Sequence, residues 1–384
     1  LRILYSVNSA NQFFINIYTK YVTGVVTTKA SVYKEYDMKQ QCKKLRYKEL
    51  DTKLIAPEKE YDYLAEPLSY NHFGASVAVA GTRVAVGVRY DDKCEYDSGN
   101  VRIYEWNGDW YVKVSRVFNY RSCLDRSLDV DGFASAVALS GDGTRLVVGA
   151  YRADTTAGVS GMVYVYSWDS AVSAYKEVLQ LVASDAGQDD SYGSSVAISD
   201  TGDTIAVGAE DKDTVSDCAG KVYIYKRDSA TSVYVEVAQL VAPDAAAYDY
   251  FGSAVAMSGS RLVVGARAKD TASDRAGKVY IYEWDSDTSA YIEVSQLVAP
   301  DAAANDWFGS SVAMSGSRLV VVAGGKATVS DRTGKVYVYE WDKTTSTYVE
   351  VVALVASTSG NHYEFGTSIA VDGDRLMIGA LDRN

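Results

Sequence analysis

The sequence predicts an all-β fold, a β-propeller of four-stranded antiparallel blades, and three observations carry that expectation. A unit recurs in phase, with starts at Phe73, Phe133, Tyr192, Phe251, Phe308 and Phe365, at intervals of 60, 59, 59, 57 and 57 residues. Each copy contains four short strand-like runs bounded by turn residues, and helix-period patterns are absent. The 31 Tyr against 4 Pro suit half-buried pleated surfaces. A unit of this kind cannot bury its apolar faces alone, so copies must stack.

The stretch from Phe251 to Val298 shows the elements in order. Ser253 to Met257 alternates small and apolar residues, which suits an inner strand at the crowded centre of a propeller. Ser258-Gly259-Ser260 is a tight turn, followed by the apolar run Arg261 to Val264 and the pair Gly265-Ala266. After a polar loop comes Lys278 to Trp284, with Tyr280 and Tyr282 on one face and Val279 and Ile281 on the other, packing blade against blade. A turn rich in Asp, Ser and Thr leads to the outer run Tyr291 to Val298.

The N-terminal part is worn but in phase. Val32 to Asp37 resembles a third strand, and Tyr47 to Pro57 matches Tyr291 to Pro300. Residues 13–60 therefore read as a degenerate first blade, and 365–384 as the first two strands of a last one, closed by an outer strand from Arg2 to Val7. The whole of 1–384 then forms a single propeller domain, with five clear blades over 61–364 and seven in all. The alternative count assigns 31–57 to the outer half of the last blade and gives six. Closure of either kind removes exposed sheet edges.

Composition bounds the function. The net charge of −12 disfavours nucleic acid and anionic membrane as partners. No apolar run is long enough for a transmembrane helix. The chain opens at Leu1 without Met and stops inside a repeat at Asn384, which reads as a segment of a longer or processed product.

Phe-Gly at the repeat start (Phe73-Gly74, Phe251-Gly252, Phe308-Gly309, Phe365-Gly366, varied to Tyr192-Gly193 and Phe133-Ala134) and the later Gly of Gly87, Gly149, Gly208, Gly265 and Gly379 resemble the FG-GAP repeat. That repeat builds the propeller at the head of integrin α subunits. Val322 replaces the second Gly in one copy, and the Pro of the family name is missing. Trp-Asp pairs at Trp168, Trp284 and Trp341 evoke WD repeats, but the period and the missing Gly-His pair exclude them. The resemblance implies an extracellular or cell-surface adhesion module.

In the integrin family the turn between first and second strands often carries Asp-x-Asp-x-Asp-Gly, which binds calcium because alternate carboxylates converge on one hard cation. Here no turn offers that set; Asp142, Asp200 and Asp203 are the weak metal candidates, and no cofactor is required. Two further acidic sets fall on one rim by propeller geometry. One precedes repeat starts (Asp185, Asp189, Asp190, Asp244, Asp249, Asp301, Asp306) and the other lies between second and third strands (Asp91, Asp92, Asp97, Asp211, Asp213, Asp217, Asp270, Asp274). Asx-turn duty explains such residues in part; the integrin analogy makes the rim a ligand surface. Cys94 and Cys123 fall on this same rim, bracket one blade and form a candidate disulfide, whereas Cys42 lies on the opposite face and Cys218 lies two blades away.

Catalytic motifs are missing. The two histidines, His72 and His362, sit in matching Asn-His pairs before repeat starts and read as loop residues. Leu128-Asp129-Val130 matches a short integrin-recognised peptide but abuts a strand start, and no N-glycosylation sequon occurs. The expectation is a non-enzymatic module that binds a protein or glycan through its upper rim. One alternative is a subunit of an extracellular filament or coat, with aromatics such as Tyr250 and Trp307 exposed for assembly. Another is an accessory domain of an enzyme whose catalytic part lies elsewhere.

Overall fold

The computed structural model describes residues 14–20, 47–55, 72–89, 99–108, 111–119, 131–327, 334–355 and 363–382. Five repeats each make one four-stranded antiparallel sheet, spanning 73–118, 133–181, 192–240, 251–297 and 308–354 and called blades 1 to 5 below. Within each, strands follow chain order from the centre outward. A further four-stranded sheet closes the ring. Its inner hairpin is Tyr363–Asp372 and Arg375–Asp382, and its outer pair is Phe14–Lys20 and Tyr47–Ile55. The inner strands stand side by side around the centre, and Tyr363–Asp372 packs against Phe73–Ala80 to complete the circle.

The seven-blade expectation fails here, and so does the six-blade alternative: five repeats form blades of their own, and the closing sheet is assembled from both ends of the chain. Within 13–60 the two described strands join the C-terminal hairpin instead of a blade of their own: Phe14–Lys20 pairs with it, Asn16 opposite Ile378 and Tyr18 opposite Leu376, and Tyr47–Ile55 pairs with Phe14–Lys20. The last repeat contributes only two strands, so its outer edge presents unpaired N–H and C=O groups, and the N-terminal pair satisfies them. The outer pair is drawn from 14–20 and 47–55 rather than from 31–57. Tyr47 to Pro57 was matched with an outer strand, and Tyr47–Ile55 takes that place. The segment from Arg2 to Val7 lies outside the described residues.

The Phe-Gly pair has a mechanical role. The ladder between first and second strands shifts register across Phe251 to Ala254, and the same bulge recurs at Tyr192, Phe133, Phe308 and Phe73. Gly252 adopts φ 88° at that bulge, a conformation that favours glycine. Ala134 holds the same place in blade 2 at φ 66°. The bulge turns the aromatic ring inward. Phe251 is fully buried and meets Tyr280 edge-on at 5.4 Å, and Phe133–Tyr164 and Phe308–Tyr337 repeat the pair at 5.5 Å.

The tyrosines are core, as the strand pattern requires. Tyr280 and Tyr282 share a cluster with Val222 and Ile224 of blade 3, whereas Val279 and Ile281 join Phe308 and Tyr337 of blade 5. Trp168, Trp284 and Trp341 sit on the outer part of the third strands, beside Tyr175, Tyr291 and Tyr348. Three of them receive a cation from the preceding blade: Arg83 over Trp168 at 3.9 Å, Lys226 over Trp284 at 2.9 Å and Arg261 over Trp341 at 3.8 Å.

The second glycine sets the spacing between blades. A Cβ at Gly208 would run into the carbonyl oxygen of Gly252 in the next blade, and Gly149 and Gly265 stand likewise against Gly193 and Gly309. Gly265→Ala is therefore expected to cost about 1–3 kcal/mol by overpacking. Gly259→Ala, with no neighbour within 4 Å but φ +59°, should cost about 1 kcal/mol from backbone strain alone. Urea denaturation of both variants checks the ranking; equal losses would contradict it.

Candidate ligand-binding rim

Two loop types meet on one rim, as propeller geometry requires. Tyr248 N donates to Asp217 O at 2.8 Å and Tyr250 N to Cys218 O at 3.1 Å. Asn305 N donates to Asp274 O at 2.8 Å in the next blade, and Asp189 N to Val159 O at 2.8 Å in the one before. The loops that precede the inner strands of blades 3, 4 and 5 are thus zipped to the loop between second and third strands of the preceding blade.

The aspartates on this rim divide into two kinds. Asp190, Asp249 and Asp306 are buried, and each carboxylate meets a nearly buried lysine: Lys212 at 2.8 Å, Lys269 at 2.9 Å and Lys326 at 2.7 Å. The same carboxylates accept the backbone N–H groups of Gly187, Ala246 and Ala303. Their lysines also donate to the carbonyl oxygens of Asp185, Asp244 and Asp301. Asp249 and Asp306, expected on the ligand surface, are thus buried in internal pairs, and Asp190, paired in the same way, also lines a cleft between blades 2 and 3: a buried carboxylate requires a partner, and the fold supplies one. Asp185, Asp244 and Asp301 are half-exposed and paired in turn. Asp301 accepts Lys335 at 2.8 Å and the Tyr337 hydroxyl at 2.5 Å, and Asp244 accepts Lys278 at 2.9 Å and Tyr280 at 2.5 Å.

The lysines were missed by the sequence reading, although a signal was present. Lys212, Lys269 and Lys326 recur in the same three repeats as Asp190, Asp249 and Asp306. Blade 2 supplies the contrast. It keeps the aspartate as Asp131 but has Ala153 where the lysine would stand. There Asn119 Nδ2 donates to the carboxylate at 2.5 Å and Phe133 N at 2.9 Å, and burial pushes the Asp131 pKa up despite both bonds.

The other kind is exposed. Asp189, Asp213, Asp217, Asp270 and Asp274 face solvent, with Asp211 half-buried. Asp213 and Asp270 each use one oxygen to cap their own loop, accepting Cys218 N and Arg275 N at 2.8 Å. Between blades 2 and 3 the rim opens into a cleft of about 390 Å³, lined by Tyr151, Arg152, Gln188, Asp189, Ser191, Asp211 and Asp213 among others. Cys218 borders it; burial, then Asp211, Asp213 and Asp217, push its thiol pKa up, which disfavours the reactive thiolate. Tyr250 and Trp307 are half-buried rather than exposed. Asp91, Asp92, Asp97, Cys94, Cys123, Cys42, His362 and Leu128 to Val130 lie outside the described residues.

The weak metal candidates sit at the opposite end of the inner strands and do not converge. Asp142 binds Ser140 Oγ at 2.6 Å and Thr144 N at 2.9 Å within its own turn. Asp203 lies 3.8 Å from Arg227. Asp200 accepts Ser258 Oγ and Gly259 N from the next blade, both at 3.1 Å, while its carbonyl takes Gly141 N of the previous blade at 2.9 Å. It belongs to a chain of turn-to-turn bonds around the ring: Gly316 N to Ser258 Oγ, Gly373 N to Ser315 Oγ, Gly81 N to Asp372 Oδ2 and Arg83 to Gly143 O.

Two outcomes follow from the paired network. Lys269→Met leaves Asp249 buried without its cation and is expected to cost about 3–5 kcal/mol in urea unfolding; a loss within error of zero would contradict the pairing. The second concerns pH. Burial opposes ionisation of Asp301, but Lys335 and Tyr337 outweigh it and bring its pKa down to about 2, and Asp185 and Asp244 are lowered by the same kind of partners. A depressed folded-state pKa contributes stability above the unfolded value of about 3.9 that is lost as pH falls toward about 2. Burial, then the same aspartates, hold the Tyr223, Tyr280 and Tyr337 hydroxyls well above their usual range, so stability is present below about pH 10 and lost above it. Thermal melts should be flat near neutrality and fall on both flanks; Asp301→Asn should shallow the acid flank, and an unchanged slope would count against the assignment.

The FG-GAP repeat family model matches residues 66–104, 128–166, 175–225, 234–282 and 291–339. No curated protein matches the chain. Among solved structures, a functionally unknown protein from Desulfotomaculum acetoxidans DSM 771 is similar at 14% identity and a TM-score of 0.46, over 80% of this chain and 75% of that one. With five matched repeats covering more than half of its residues, the chain belongs to the FG-GAP repeat family.

Proposed function

We propose that this chain is a non-enzymatic binding module acting outside the cell or at its surface, which holds a protein or glycan on its upper rim. The observation that supports the reading is the division of the rim carboxylates. Asp190, Asp249 and Asp306 are tied to lysines, whereas Asp189, Asp213, Asp217, Asp270 and Asp274 project from short capped loops beside Tyr151, Tyr250 and Trp307. Held loops that present carboxylates and aromatic rings suit recognition of hydroxyls or basic side chains. Among the described residues no helix is long and apolar enough to cross a membrane.

A second reading, a subunit of an extracellular filament or coat, has its own support. The outer strands expose rows of β-branched residues: Val235, Val237 and Val241 in blade 3, Ile292, Val294 and Val298 in blade 4, and Val349, Val351 and Val355 in blade 5. Exposed apolar edges of this kind favour strand pairing with other chains.

Substitution separates the two. The Asp217→Asn, Asp270→Asn and Asp274→Asn triple variant, tested on immobilised glycans and extracellular proteins, should keep its unfolding midpoint and lose about tenfold in retention. Undiminished retention would remove the rim proposal. Self-association relieved by Val237→Lys and Val294→Lys, with rim substitutions silent, would favour the assembly reading.

A further inference from the structure

Blade 3 departs from its neighbours at one rim position. The residue before each aromatic–glycine pair has positive φ: 57° at Ser191, 56° at Tyr250 and 55° at Trp307. Equal backbone conformation at equal register sends the three side chains the same way. In blade 4 the Tyr250 ring lies 4.1 Å from the Arg267 guanidinium. In blade 5 the Trp307 ring lies over Gly325, where an added Cβ would stand 3.1 Å from it. Ser191 sits beside Asp211, the residue that matches Gly325, and bonds it at 2.5 Å. In blade 3 a hydrogen-bonded serine and aspartate thus stand where blade 5 has a ring over bare backbone.

The neighbouring blade does not fill the space. The Tyr151 ring packs over the bare backbone of Gly132, and its hydroxyl bonds the Arg89 guanidinium. What is left is the cleft of about 390 Å³, within the size range of small-molecule sites. Tyr151 lines it together with donors on Arg152 and Gln188 and acceptors on Asp189, Asp190, Asp211 and Asp213.

We propose that this cleft binds one sugar ring of hexopyranose size. A pyranose approximates the girth of the missing tyrosine ring. Its hydroxyls donate and accept, which matches walls carrying both kinds of group. The presence of Arg152 as well as carboxylates favours a neutral polyhydroxylated ligand over a simple cation. The inference rests on the upper-rim reading and specifies its ligand class.

The test uses methyl glycosides of glucose, galactose, mannose and N-acetylglucosamine with the full chain, read by saturation-transfer NMR and calorimetry. At least one glycoside is expected to bind saturably. Ser191→Tyr, which supplies the ring that blade 4 carries at this position, should weaken binding at least about tenfold with an unchanged unfolding midpoint. Asp189→Asn should weaken it. Absence of binding by all four glycosides, or binding that survives Ser191→Tyr, overturns the proposal. If Ser191→Tyr is silent while the Asp217, Asp270 and Asp274 triple variant loses retention on arrays, the cleft inference fails and the rim reading stands. If the triple variant is silent while Ser191→Tyr abolishes glycoside binding, the wider acidic rim fails and the cleft stands.

Discussion

Neighbouring blades meet backbone to backbone, and the remaining architecture depends on that approach. The second-strand glycine of one blade faces the carbonyl of the bulge glycine in the next, as Gly208 faces Gly252 and Gly265 faces Gly309. No side chain separates them, so the inner strands close to a narrow centre and the wider outer wedge must be filled by large rings. Tyr164, Tyr192, Tyr223, Tyr280 and Tyr337, all fully buried, do this. The interface after blade 5 inverts the arrangement: Val322 replaces the second glycine, and a Cβ at Gly366 would run into its side chain. One bare backbone per contact suffices, and the partner must then be glycine.

That spacing also bears on why acidic residues gather at the rim and why Asp190, Asp249 and Asp306 are paired inside the chain. Each connection between blades must return from an outer strand to the next inner strand, which brings its aspartates beneath the loop carrying the lysine. Burial makes an isolated charge costly, so carboxylate and ammonium occur together. Blade 2, lacking the lysine at Ala153, turns to Asn119 and keeps Asp131 with a raised pKa. The surplus of carboxylates beyond these pairs is what distinguishes a presented surface from internal scaffolding.

Much of the fold was legible in the sequence because the repeat states the same physical requirement several times. The strand order, the small-residue inner strand and the inward tyrosines follow from Phe251 to Val298, and the shared rim from the aspartates that flank this unit. The closing sheet was less legible. The third-strand likeness lies at Val32 to Asp37, whereas Phe14–Lys20 takes that place, because which hairpin a strand joins is decided by an unpaired edge far away in the sequence, at Arg375–Asp382. The rim was legible as a location and not as a set of roles: Asp190 and Asp189 are adjacent, yet one is buried against Lys212 and the other faces solvent. Only comparison of repeats for joint presence of Lys and Asp carries that distinction. The cleft is the hardest to read, since it arises from a residue that is small where its counterparts are rings.

Hydrogen–deuterium exchange, measured on the chain with and without the glycan or protein it retains most strongly, tests the central claim directly. If the upper rim is the binding surface, exchange slows in the loops 185–191, 211–218 and 268–275 and stays unchanged along the outer strands. Slowed exchange confined to Tyr234–Leu240, Ala290–Leu297 and Thr347–Leu354, with those loops unaffected, would contradict it and place the working surface on the blade edges.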